Sequence, residues 1–140
     1  MLDEGPPGPE APREERDRFL YRAVASAYHW METPTATAAN SARGEHLIAR
    51  AAVAVGLGEM ALRHAMRCLE LCELNPDVVE DWDSAFAEEA IARSFALLGD
   101  REAAVEHHAR ASALGAAISE SDDREVFLTE LERAPWFGVV

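Results

Sequence analysis

The chain has 140 residues, 49% of them hydrophobic, and a formal net charge of -13. That length suits one domain around one core, and the acidity argues against nonspecific binding to nucleic acid or anionic membranes, which ask for basic surface. No apolar run approaches the roughly 20 residues of a membrane span, no signal-peptide pattern is visible, and Cys68 and Cys72, four apart in a helical stretch, make no disulfide framework, so a cytoplasmic protein is expected.

Val, Ile and Thr never alternate with polar residues over a strand length, whereas alanine, the best helix former, is abundant. The expectation is therefore all-α, with about six antiparallel helices. Residues 1–12 read as a disordered, Pro-rich tail and 13–140 as a single helical domain. The first helix runs from about Arg13 to Met31, with Phe19, Leu20, Ala23, Val24, Ala27 and Met31 in one apolar stripe, and Thr33-Pro34 stops it. The second extends through Ala36 to Val55, burying Leu47, Ile48, Ala51, Ala52 and Val55, and ends at Gly56-Leu57-Gly58. The third, Glu59 to Leu74, buries Ala61, Leu62, Ala65, Cys68, Leu69 and Cys72 and is closed by Asn75-Pro76.

The fourth helix begins near Asp81 to Ser84 and runs to Leu98, with Phe86, Ala90, Ile91, Phe95 and Leu98 inward. Gly99 ends it and Asp100 can cap the next. The fifth, Arg101 to Ala117, buries Ala104, Val105, His108, Ala111 and Leu114. The sixth, about Ser121 to Arg133, opens with Asp122 and Asp123, which suit a helix N-terminus, and carries Val126, Phe127, Leu128 and Leu131. Pro135-Trp136-Phe137 is too apolar for a free tail and is expected to dock on the bundle.

An internal repeat organises these helices. Ile48-Ala49-x2-Ala52-x3-Gly56-x4-Ala61-x3-Ala65-x2-Cys68 is matched by Ile91-Ala92-x2-Phe95-x3-Gly99-x4-Ala104-x3-His108-x2-Ala111, at a constant offset of 43 residues. The pattern of a large apolar residue, a small one, an aromatic, a turn glycine and small residues in the second helix resembles the tetratricopeptide repeat, best in the second copy. The resemblance covers roughly Arg43 to Ala117. The period exceeds that family's 34 residues, Glu45 and Glu88 stand where it has a tryptophan, and its closing proline is absent or displaced to Pro76. It implies two helical hairpins flanked by N- and C-terminal capping helices, with the first helix of each hairpin lining a concave side.

That side would carry Arg43, His46, Arg50 and Val53 from one copy, and Phe86, Glu89 and Arg93 from the other. Converging arginines suit an acidic peptide or a small anion; alternatively they pair with Glu45, Glu88 and Glu89. The asparagines with which some repeats of this family clamp a peptide C-terminus are absent at the matching positions. Tyr28-His29-Trp30 reads as a cap over the stack or the rim of a pocket. His64, Cys68 and Cys72 share one helix face, yet Cys68 sits at a packing position, and no metal or cofactor is expected. His107-His108 reads as structural. No phosphate loop, His-Glu-x-x-His or nucleophile elbow occurs.

The sequence therefore points to a non-enzymatic interaction module. It would bind a protein or peptide in a partly arginine-lined groove through Trp30, Arg43, His46, Arg50, Phe86, Glu89 and Arg93. The alternative is a sensor of a small anion or metal, or a minor enzyme, with a pocket near His29, Trp30, Arg43 and His46. A further reading is a homodimer formed through exposed apolar ends.

Overall fold

A computed structural model describes residues 5–139. Six helices follow one another: α1 (Arg13–Glu32), α2 (Ala38–Ala54), α3 (Gly58–Leu74), α4 (Asp81–Leu98), α5 (Arg101–Ala116) and α6 (Ser121–Glu132). Among the described residues there is no strand, and no helix is long and apolar enough to cross a membrane.

The 43-residue offset governs the backbone. α2 and α4 start 43 residues apart, as do α3 and α5. Each of α2 and α4 begins where an N3 side chain reaches back to the N-cap amide. Asn40 Oδ1 accepts from the Thr37 N–H at 2.9 Å, and Asp83 Oδ2 accepts from the Glu80 N–H at 2.8 Å. Each hairpin turns on a glycine with positive φ, Gly56 at 81° and Gly99 at 84°, a conformation that costs a residue with a Cβ about 1 kcal/mol or more. Asp100 caps α5 by accepting from the Ala103 N–H at 3.1 Å.

The hairpins α2–α3 and α4–α5 stack so that α4 packs on both α2 and α3, and α6 repeats that relation on α4 and α5. α3 and α5 stay apart on the outer side. Small residues allow the close approach: Ala42, Ala49, Ala61, Ala65, Ala87, Ala90, Ala92, Ala104 and Ala111 are all fully buried. α1 packs on α2 alone. Trp136 docks as expected, buried among Ala92, Ala96 and Leu131, with its Nε1–H donated to the Leu131 carbonyl at 2.8 Å.

Several expected core positions lie elsewhere. On α1 only Phe19, Ala23 and Ser26 are buried, while Val24 and Met31 are exposed. The spacing merged two faces, because residues three and four apart connect the core stripe to a second, outward one. Val105, Leu114, Val126 and Leu128 are also exposed, their helices turning Ala104, Ala111, Gly115, Phe127 and Leu131 inward instead. Leu98, beside the α4 turn, is exposed as well. In the part of the leader that is described, Pro6 and Pro7 are half-buried, lying with Arg16, Val53 and Pro135 around one small cavity, while Gly5, Gly8, Pro9 and Glu10 are exposed.

Candidate functional site

α2 and α4 lie side by side, so equivalent positions of the two hairpins face one another. At the centre is Glu89, fully buried. Its Oε1 accepts from His46 Nε2 at 3.1 Å, and its Oε2 accepts from Arg50 at 2.9 Å and from Nε of Arg93, one turn further along α4. Burial, the largest single influence, pushes the Glu89 carboxyl up. The charge of Arg50, the His46 hydrogen bond and the charge of Arg93 together outweigh it and hold the group well below the usual carboxylate range.

Arg93, also fully buried, does more than balance that charge. Its terminal nitrogens donate to the carbonyls of Glu130 at 2.6 Å, Arg133 at 2.7 Å and Pro135 at 2.9 Å, and its guanidinium lies 4.1 Å from the Trp136 ring centroid. The first belongs to the last turn of α6 and the other two to the segment that follows it, so one side chain binds the last helix and the C-terminal segment to α4. Burial lowers the pKa of Arg93 and Glu89 opposes that effect. Arg50, 4% exposed, adds a second ion pair to Glu130 at 3.7 Å. Two guanidiniums are thus matched by two carboxylates within the protein.

Arg43 lies nearer the surface. Its Nε and one terminal nitrogen donate to the two carboxylate oxygens of Asp83, each at 3.0 Å, and its guanidinium stands 4.4 Å from the Trp82 ring centroid. Asp83 is 3% exposed, so this fork is half desolvated. Beside it opens a cleft between α2 and α4 of about 140 Å³, lined by Arg43, His46, Cys68, Trp82, Asp83 and Phe86. Phe86 sets its floor, edge-on to His46 at 5.2 Å, to Trp82 at 6.2 Å and to Phe127 at 4.9 Å.

Of the residues expected at the site, Arg43, His46 and Phe86 come together in this cleft. Glu89 and Arg93 do not line an open groove, and Arg50 borders only the small cavity beside Pro6 and Pro7; the three are buried against one another, where an unpaired charge would cost several kcal/mol. Glu45 and Glu88 do not pair with the arginines either. Glu45 pairs with His64, and Glu88 with His107 at 2.6 Å, the same bond in each hairpin. The pocket expected near His29, Trp30, Arg43 and His46 is not assembled. Trp30 packs edge-on to His29 on α1, and neither lines the cleft.

His64, engaged by Glu45, is not joined to Cys68 and Cys72. The two cysteines are free and buried, and a hydrogen bond with Cys72 together with burial pushes the Cys68 thiol up, so it stays protonated. Among the described residues, no group of three or more His, Cys, Asp and Glu side chains is placed to hold a metal ion.

Trp82, Asp83 and Glu130 are the partners that sequence reasoning did not assign. Asp83 is readable only as a cap, since its second role, accepting the Arg43 fork, joins residues 40 apart. No family model, curated protein or solved structure matches this chain.

Proposed function

We propose that the chain is a protein-interaction module of the tetratricopeptide-like kind, acting by binding rather than catalysis. It would take one apolar or aromatic side chain of a protein or peptide partner into the cleft between α2 and α4. The observation that carries this reading is the cleft itself: Trp82 and Phe86 form apolar walls around about 140 Å³, close to the roughly 150 Å³ that admits a benzene-sized group.

The charges around the cleft argue for an apolar anchor over an acidic peptide. Arg43 is answered by Asp83, and Arg50 and Arg93 by Glu89, so an incoming anion would have to displace an internal carboxylate. The half-exposed edge of Arg43 remains free to orient a backbone carbonyl beside the anchor. Duplicated hairpins with glycine turns, outer helices held apart, and α6 in the position of a further inner helix support the tetratricopeptide-like reading. Two free, buried thiols are in keeping with a reducing cytoplasm.

The test is selection from a displayed random-peptide library, followed by calorimetry on the recovered peptides. They are expected to share one Phe, Trp, Leu or Met, and to lose at least tenfold in affinity with Trp82→Ala while the melting temperature stays within a few degrees. Peptides that bind Trp82→Ala as well as the wild type would overturn this reading.

A further inference from the structure

α1 has two apolar faces, and the core uses only one. Phe19 and Ala23 turn inward, while Tyr21, Val24, Tyr28 and Met31 are exposed by 71%, 42%, 62% and 77%. Those four recur at spacings of three, four and three, a single stripe on one side of the helix. No other helix exposes more than two large hydrophobic residues. Scattered apolar side chains are ordinary on a surface, but an aligned aromatic stripe marks an interaction face.

We propose that this face pairs with a second copy of itself, α1 against α1 in antiparallel orientation about a two-fold axis. The spacing is the first argument. Three, four, three reads the same in both directions, so an antiparallel partner sets Tyr21 against Met31 and Val24 against Tyr28, with every apolar residue met. A two-fold interface demands this kind of self-complementarity, and a stripe evolved for an unrelated partner has no need of it.

Charge is the second argument. Arg18, Ala25 and Glu32 line one edge of the stripe, seven residues apart. The same antiparallel register brings each Arg18 against Glu32 of the second copy and Ala25 against its own equivalent near the axis, where small residues let the helices approach. The pairing therefore forms two opposite-charge contacts. Arg18 must leave its exposed contact with Glu14, at 3.5 Å, which contributes little. The helix as a whole holds four arginines and four carboxylates, a neutral face on a chain of net charge -13. Two copies can therefore meet along α1 without net repulsion. The stripe is about 15 Å long by helical rise, short of a standard interface, so the dimer is weak and reversible.

Sedimentation velocity over a concentration series tests this on the full chain. The wild type should shift from monomer to dimer as concentration rises, and Tyr28→Glu, at an exposed position, should stay monomeric with unchanged helicity. Arg18→Glu should weaken the dimer several-fold, and adding Glu32→Arg to it should restore the wild-type constant. A wild type that stays monomeric through the micromolar range into the millimolar range overturns the proposal. So does a double variant no tighter than Arg18→Glu alone, since only the antiparallel register couples those two residues. The peptide cleft between α2 and α4 stands apart from this face and is unaffected by either outcome.

Discussion

His46 and Glu89 occupy the same position of the two hairpins, 43 residues apart, and are hydrogen-bonded to each other, Nε2 to Oε1, at 3.1 Å. When a duplicated unit stacks on its own copy, equivalent inner-helix residues are brought face to face. Two glutamates there would repel across a dry junction. One glutamate flanked by a histidine and two arginines is satisfied, so the divergence of this single position makes the α2–α4 junction specific. Glu89→Gln keeps the shape and removes the charge on which Arg50 and Arg93 both end. Breaking one member of a buried ionic group costs about 3–5 kcal/mol, and chemical denaturation should show a loss of that size. A loss under 1 kcal/mol would mean that the arginines find other partners.

Arg93 spreads its donors over one carboxylate and three carbonyls, an arrangement open to a planar fork and not to a lysine ammonium. Arg93→Lys should therefore behave as a disruptive change, costing about 2–4 kcal/mol through unsatisfied carbonyls and an incompletely answered Glu89. Its distinctive mark is local. The Trp136 indole N–H, bonded to the Leu131 carbonyl, should shift and exchange faster with solvent, and the chain after α6 should become the first site of limited proteolysis.

Two groups, His108 and Glu89, contribute to the response to acid. His108 is lowered from its ordinary 6.5, chiefly by burial and then by the nearby charge of Arg93, with a smaller opposing pull from Glu89. The unfolded chain then takes up the proton first, so stability falls as pH drops below about 6.5. Glu89 is lowered from its ordinary 4.5 by the arginines and His46; its contribution is complete above that value and is lost as pH falls through the folded value. Stability should be flat near neutrality, decline gently below pH 6.5 and steeply below 4.5. His108→Gln should remove the upper step and leave the lower one.

Much of this architecture was legible because its punctuation is chemical. Gly56, Gly99, Asn75-Pro76 and Asp100 end or begin helices for reasons that a sequence displays, and the 43-residue offset is visible in the sequence itself. The buried ionic centre was not, since periodicity counts apolar residues and assigns Arg50, Glu89 and Arg93 to the surface. The offset held the missing signal: it aligns His46 with Glu89 and Arg50 with Arg93, polar residues at matching inner-helix positions that stacking must bring together. The double face of α1 escaped because spacings of three and four chain through Phe19, Ala23 and Ala27 and equally through Tyr21, Val24, Tyr28 and Met31, and only packing against α2 tells them apart.

Two buried helical glycines, Gly44 within α2 and Gly115 in the last turn of α5, should respond oppositely to the same substitution. A Cβ on Gly44 would meet only the Cα and Cβ of Ala27 at 3.5 Å, ordinary contact between α2 and α1. Gly44→Ala then removes backbone freedom from the unfolded chain and should stabilise by about 0.5–1 kcal/mol. A Cβ on Gly115 would fall onto the ring of Phe127, with a Leu128 methyl just beyond at 3.3 Å. Phe127 cannot yield, because it is fully buried and wedged edge-on to Phe86, so Gly115→Ala should cost about 1–3 kcal/mol by overpacking. Urea denaturation of both variants measures the pair, with equal slopes expected if neither changes the surface exposed on unfolding. A Gly115→Ala protein as stable as wild type would mean that α6 rides more loosely on α5 than this packing requires, and the aromatic floor of the cleft, which rests on Phe127, would lose its rigid support.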